Sequence, residues 1–176
     1  MDGNRAVQVL QDVLLVAFVA RVVYMDWRVQ RIPNDSTYPT MVAGLLLGVA
    51  ESVTDGFGLP GEIRRGGLLD HVAALVVAFL VSYPMVAAGW MKAGDGKFLM
   101  AVGALKGTAF LLSSTVWGVL LGGVIALLFI AGRRLAPQRD GQERAMRSLL
   151  HSWIPYGVAL GLGAIVALAF ELRRLS

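Results

Sequence analysis

The sequence contains no cysteine, so it can form neither a disulfide bond nor a zinc site built from thiolates. It has only two histidines, His71 and His151, and their wide separation in the chain does not match the spacing of metal ligands. We therefore expect no metal ion and no cofactor. Charged residues are also scarce, at 16% of the chain, whereas 56% of the residues are hydrophobic. Soluble domains are typically about 45–50% apolar, so this composition indicates a membrane protein.

Apolar runs recur along almost the whole chain and are separated by short polar stretches. A helix needs about 20 residues to cross the apolar core of a bilayer. The pattern therefore predicts one all-α membrane domain over residues 1–176, a polytopic bundle of about six transmembrane helices. A break is expected at the polar, helix-breaking segment 106–108, which leaves one helix short. The expected helices lie near residues 7–25, 37–53, 69–90, 94–105, 109–131 and 153–171.

The order of the helices predicts which loops share a side of the membrane. The loops after the first, third and fifth helices hold Asp26, Asp95 and the basic segment 133–147. Because arginine and lysine are enriched in cytoplasmic loops, we expect both aspartates to face the cytoplasm and both termini to lie outside. The basic residues fall at the edges of apolar runs and form no stripe with aromatic residues, which favours membrane topology over binding of nucleic acid.

Three motifs carry the candidate chemistry. D-W-R-V-Q-R-I-P-N spans residues 26–34 at the end of the first helix, A-G-D-G-K spans residues 93–97 at the start of the short helix, and I-P-Y-G-V-A spans residues 154–159. Together they resemble the motifs of type IV prepilin peptidases, of the GxGD aspartyl protease class. The short form associated with tight-adherence (Flp) pili is the most similar, and archaeal preflagellin peptidases are relatives. Lys92 stands where the GxGD pattern has its first glycine.

The resemblance implies an aspartyl endopeptidase of the bacterial inner membrane that cuts prepilins after a glycine of the leader peptide, at the cytoplasmic face. It implies that Asp26 and Asp95 are catalytic, supported by Gly94, Lys97, Arg31, Pro33 and Asn34. The expected partners are a prepilin, with its basic leader and apolar helix, and the lipid bilayer. The oligomeric state and any N-methylation of the cut pilin stay open.

The physics of paired carboxylates agrees with this assignment. At a separation of about 4 Å and an effective dielectric near 20, two carboxylates repel each other by about 4 kcal/mol, so Asp26 and Asp95 would share one proton. One would act as a base towards water and the other would bind the carbonyl oxygen. Taken singly, each also has a structural interpretation: Asp26 pairs with Arg28 or Arg31, and Asp95 is favoured at a helix N-terminus.

Two other functions stay open. Intramembrane carboxylates such as Asp12 also occur in proton-coupled transporter subunits, and a noncatalytic assembly factor for a pilus or secretion apparatus would share the topology. We expect Asp12 near the external interface and His71 as an interface residue. The glycines of the last helix are expected to serve close helix packing; they are Gly157, Gly161 and Gly163.

Overall fold

The computed structural model describes residues 3–54, 67–135 and 156–175, and every regular element within these ranges is an α-helix. Four of the described helices are long and apolar enough to cross a membrane, with α2 the exception. The chain is therefore an all-α membrane protein, as the composition predicts. Most of the basic segment 133–147 lies outside the described residues. The helices are α1 (Gly3–Val29), α2 (Asn34–Thr54), α3 (Leu68–Ala87), α4 (Ala93–Leu135) and α5 (Tyr156–Leu175).

Helix α4 consists of two segments that meet at Gly107. The backbone there leaves the helical conformation, with φ at 79° and ψ at −177°. The first segment ends at Lys106, which contacts Glu171 near the end of α5. In the second segment, a Cβ placed on Gly122 would lie 3.3 Å from Ala159, near the beginning of α5. The chain therefore doubles back along α5 after Gly107. The described helices number five instead of about six, but the break falls where the sequence predicts it.

The second segment of α4 is capped by a residue from another helix. The Asp70 carboxylate of α3 accepts hydrogen bonds from the backbone N–H of Thr108 at 3.3 Å and from the Thr108 hydroxyl. The first N–H groups of a helix have no partner within the helix, so Asp70 satisfies a donor exposed by the break. It also occupies the space beside Gly107 that a Cβ would need. A glycine is required there both for the positive φ and for this contact.

The helices pack through close backbone contacts at glycines and through stacked aromatic pairs, including Trp117 of α4 with Phe170 of α5. Phe18 of α1 stacks on Phe98 of α4 with ring centroids 5.4 Å apart. At Gly44, the backbone of α2 lies directly against that of Ala104. At Gly163, the backbone of α5 lies directly against that of α4. Small residues at such positions let membrane helices approach closely, which is the role predicted for Gly163.

One end of the bundle holds a buried ammonium group. The Nζ atom of Lys106 lies 2.7 Å from Asp12 of α1 and 3.2 Å from Glu171 of α5. The Lys106 side chain is 5% exposed, so its charge is balanced by these carboxylates instead of by water. The cluster brings the beginning of α1, the break in α4 and the end of α5 together. Lys106, the partner of Asp12, is 94 positions away in the chain, so this contact was not predicted from the sequence.

His71 lies inside the bundle near the same end. It is 1% exposed, so its interpretation as an interface residue is wrong. Its Nδ1 atom lies 2.7 Å from the carbonyl oxygen of Ala104, and its Nε2 atom lies 3.2 Å from Glu51. Glu51 also accepts a hydrogen bond from the Gln11 side chain at 2.7 Å. Buried polar groups need such partners, and here they join α1, α2, α3 and α4.

Candidate active site

Asp26 lies one turn before the end of α1, at the end of the bundle opposite Lys106. Only 4% of it is exposed. Its carbonyl oxygen accepts a hydrogen bond from the N–H of Gln30 at 3.0 Å, and Gln30 has a φ of 53°. A residue in this left-handed conformation typically ends a helix. The turn at Gln30 therefore stops α1 one turn after Asp26 and leads the chain into the 31–34 segment.

Asp95 lies in the first turn of α4 and is 3% exposed. Its backbone N–H donates to the carbonyl oxygen of Lys92 at 3.0 Å, which starts the helix. Its Oδ2 atom is buried and has no hydrogen-bond partner within the described part of the chain. A buried polar atom without a partner is costly, and a catalytic role is one of the explanations for such an atom.

The two aspartates line the same pocket, which has a volume of about 300 Å³. The carboxylate of Asp26 lies close enough to repel that of Asp95, and Lys92 attracts the latter. Residues from the end of α1, the following loop and the start of α4 form the walls; they are Asp26, Gln30, Arg31, Ile32, Lys92, Gly94 and Asp95. When two buried carboxylates line one pocket, one of them can be ionised while the other is protonated, and the ionised one can activate a water molecule. Among the described residues, no group of three histidine, aspartate or glutamate side chains is placed to hold a metal ion.

The start of α5 forms a further side of the site. The N–H of Val158 donates a hydrogen bond to the Oδ2 atom of Asp26 at 3.3 Å. A Cβ on Gly157 would lie 2.7 Å from the same oxygen. The prediction that Gly157 serves helix packing therefore misses its contact with Asp26. The I-P-Y-G-V-A motif is the sequence feature that could have indicated this contact. Residues 154 and 155 of the motif lie outside the described part of the chain.

Lys97 and Asn34, two of the residues predicted to support the site, connect the motif that contains Asp95 to the motif that contains Asp26. The ammonium group of Lys97 donates a hydrogen bond to the Oδ1 atom of Asn34 at 2.8 Å. The same group lies 5.4 Å from the centre of the Tyr38 ring, within range of a cation–π interaction. Lys97 therefore ties the first turn of α4 to the first turn of α2.

The other three predicted supporting residues hold or line the loop between α1 and α2. A Cβ on Gly94 would lie 3.2 Å from the Ile32 side chain, so the absence of a side chain lets this loop approach α4. The carbonyl oxygen of Pro33 accepts hydrogen bonds from Ser36 at 3.2 Å and from the next N–H at 3.3 Å, which start α2. Arg31 lines the pocket and is exposed.

Lys92 takes the place of a glycine in the GxGD pattern without a backbone penalty. Gln30 is the one non-glycine residue with a positive φ in the described ranges, so the conformation at Lys92 does not require glycine. The Lys92 side chain is exposed and lines the pocket. The substitution therefore changes the charge at the pocket and leaves the start of α4 intact.

A second, more apolar pocket of about 270 Å³ borders the same turn of α4. It lies between α2, α3 and α4, and two of its residues, Gly96 and Lys97, directly follow Asp95 in the chain. The Phe79 and Tyr83 rings of its wall lie 5.4 Å apart. The lining residues are Tyr38, Met41, Phe79, Tyr83, Val86, Ala93, Gly96, Lys97 and Met100.

Comparison with known proteins gives one match. The sequence profile of the Type IV leader peptidase family matches residues 13–127, which is more than half of the chain and includes Asp26 and Asp95. The matched region ends before α5, so the contact between Val158 and Asp26 lies partly outside it. No curated protein and no solved structure matches the chain at a significant level.

Proposed function

The chain belongs to the type IV leader peptidase family, and from this premise we propose that it is an aspartyl endopeptidase acting on Flp-type prepilins. In this proposal it removes the N-terminal leader peptide at the cytoplasmic face of the inner membrane. Asp26 and Asp95 are the catalytic residues, and Gly94, Lys97, Arg31, Pro33 and Asn34 hold the surrounding turns.

The observation that carries the proposal is the meeting of two buried aspartates in one pocket. They come from helices that are distant in sequence, and each is less than 5% exposed. Burying two carboxylates side by side destabilises a fold unless one of them is protonated. A structural role would favour a paired cation or several hydrogen-bond donors, but Oδ2 of Asp95 has no such partner in the described part of the chain. This arrangement supports catalysis by the pair.

The chemistry follows from one shared proton. The ionised carboxylate takes a proton from a water molecule, and the water oxygen bonds to the carbonyl carbon of the scissile peptide. The protonated carboxyl group donates a hydrogen bond to the carbonyl oxygen, where negative charge develops. The first carboxyl group then returns its proton to the amide nitrogen, and the carbon–nitrogen bond breaks. No covalent intermediate with the protein forms.

The second pocket supports a substrate with an apolar helix. A prepilin would place this helix between α2 and α3, against an apolar wall that includes Phe79 and Tyr83. Because Gly96 and Lys97 of that pocket directly follow Asp95, a helix held there would have its end close to the catalytic pair. The basic leader would stay in water and near anionic lipid headgroups.

Co-expression with a candidate Flp-type prepilin tests the proposed activity. We expect a mobility shift of the prepilin and a new N-terminus directly after the last glycine of the leader. A prepilin in which that glycine is replaced by a bulkier residue serves as the control and should stay uncut. An inserted, folded chain that leaves the native prepilin intact would favour the transporter or assembly-factor alternatives.

The orientation can be tested by labelling, because the chain contains no cysteine. Arg28 is exposed at the end of the bundle that holds the aspartates, and Leu69 is exposed at the opposite end. Trp27 and Trp90 are also exposed at the former end, as expected at a membrane–water interface. We expect an impermeant thiol reagent to label Leu69→Cys in intact spheroplasts and Arg28→Cys only after lysis. The reverse pattern would reject the cytoplasmic orientation.

A further inference from the structure

The two aspartates of the site differ in their surroundings. The Oδ2 atom of Asp26 accepts a hydrogen bond from the N–H of Val158, in the first turn of α5. The first N–H groups of a helix are free to bind an anion, and the helix dipole adds positive potential at that end. A hydrogen bond of this kind is made to the charged form of a carboxylate and favours it.

The two oxygens of the Asp95 carboxyl group are not equally satisfied. The backbone N–H of Lys92 donates to this group, but its Oδ2 atom is buried without a hydrogen-bond partner in the described ranges, and a buried carboxyl oxygen without a donor favours the neutral form. Lys92 attracts a negative charge on Asp95, but its side chain is exposed, where water and salt screen this attraction.

Gly157 is what allows α5 to approach Asp26. A Cβ at this position would lie 2.7 Å from Oδ2 and 2.9 Å from Cγ of Asp26. Both atoms belong to the carboxyl group itself, so the group would have to move away from the N–H of Val158. A glycine in the first turn of α5 therefore preserves the hydrogen bond as well as the packing.

We infer that Gly157 and Val158 position Asp26 as the ionised general base of the pair, which leaves Asp95 as its protonated partner. This inference rests on the proposed peptidase function. Asp26 takes the proton of the attacking water and later delivers it to the leaving amide nitrogen. Asp95 keeps its proton and donates it in a hydrogen bond to the carbonyl oxygen of the scissile peptide. Gly157 and Val158 are positioning residues, since they act through Asp26.

The first test is the kinetics of the purified full-length Gly157→Ala variant with a prepilin substrate. We expect kcat to fall about 10–100-fold, as for a displaced catalytic group, while KM stays within about twofold. Gly122→Ala is the control: it adds the same methyl group on the face of α4 that packs against the start of α5, where it would lie 3.3 Å from the Ala159 side chain. Its kcat should stay within about threefold of the wild type.

Two outcomes of this experiment separate the inference from the proposed function. If Gly157→Ala cuts at the wild-type rate, or if both glycine variants lose kcat equally, the inference is overturned while the peptidase function stands. If the wild-type chain cuts no prepilin, the proposed function fails and the inference fails with it.

A second measurement does not depend on the stability of Gly157→Ala. Infrared spectra of the wild type, Asp26→Asn and Asp95→Asn report the carbonyl band of protonated carboxyl groups. We expect Asp95→Asn to lose one such band and Asp26→Asn to keep it. If the band is lost in Asp26→Asn and kept in Asp95→Asn, Asp26 carries the proton and the assignment is overturned.

Discussion

The ammonium group of Lys97 and the side-chain oxygen of Asn34 are 2.8 Å apart. This hydrogen bond joins the motif that contains Asp95 to the motif that begins with Asp26. Both residues lie outside the pocket that holds Asp26 and Asp95, so under the proposed function they would act on this pair through the turns that carry it. We therefore expect Lys97 and Asn34 to affect the rate of cleavage without contacting the scissile bond of the substrate.

Variants of this pair should show that the two side chains act together. Asn34→Ala and Lys97→Met each remove the hydrogen bond, which typically contributes about 1 kcal/mol. We expect each single variant to lower the cleavage rate about fivefold and the double variant to lower it no further. A double-mutant cycle measures this coupling. If the two effects multiply instead, the residues act independently and the hydrogen bond does not couple the motifs.

The break in α4 should depend on Gly107. Its φ of 79° and ψ of −177° fall in a region that is essentially restricted to glycine and costs other residues about 1–3 kcal/mol. A side chain would also displace the Asp70 carboxylate. We expect Gly107→Ala to lower the free energy of unfolding by at least about 2 kcal/mol, measured by denaturant titration in detergent.

Gly123→Ala is the matched control for this substitution. It lies in the same helix, and outside the neighbouring backbone of that helix no atom of the described residues lies within 4 Å of the place its Cβ would take. Replacing a glycine inside a helix by alanine typically stabilises by about 0.5–1 kcal/mol, so this variant should be no less stable than the wild type. Equal destabilisation by both substitutions would contradict a specific role for the break at Gly107.

The buried ammonium of Lys106 should stabilise the bundle through Asp12 and Glu171. Lys106→Met leaves two carboxylates without their cation. Removing one member of a fully buried ion pair typically costs about 3–5 kcal/mol, but the Asp12 and Glu171 side chains are 22% and 40% exposed, so we expect a smaller loss of about 1–3 kcal/mol. We expect this loss in thermal unfolding. The triple variant Lys106→Met, Asp12→Asn, Glu171→Gln removes all the charges together and should recover most of the stability. If Lys106→Met alone is as stable as the wild type, the ion pairs of Lys106 do not contribute to the stability of the fold.

Much of the helical framework could be predicted from the sequence because membrane helices are long and apolar. The expected helix near 37–53 corresponds to Asn34–Thr54, and the one near 69–90 corresponds to Leu68–Ala87. The break at Gly107 was predictable because a polar residue, a glycine and a β-branched residue follow one another there. The three motifs likewise identified Asp26 and Asp95 as candidates, and the structure places both in one pocket.

The contacts between distant helices could not be predicted in the same way. Lys106 and Asp12 are 94 positions apart, and Val158 and Asp26 are 132 positions apart. Hydropathy fixes where a helix begins and ends, but it does not say which of its faces meets which neighbour. For this reason His71 was assigned to the interface instead of the interior, and Gly157 was assigned to packing instead of the site.

The cleavage activity of the two single asparagine variants tests the central claim most directly. Asn has nearly the shape of Asp, so Asp26→Asn and Asp95→Asn should fold and insert like the wild type. Asn cannot take a proton from water, as proposed for Asp26, and its amide is a weaker hydrogen-bond donor than the carboxylic acid proposed for Asp95. With a purified prepilin substrate, we predict that each variant loses at least about 10³-fold in rate, while its thermal unfolding in detergent stays close to that of the wild type. Cleavage near the wild-type rate by either folded variant would contradict catalysis by the Asp26 and Asp95 pair.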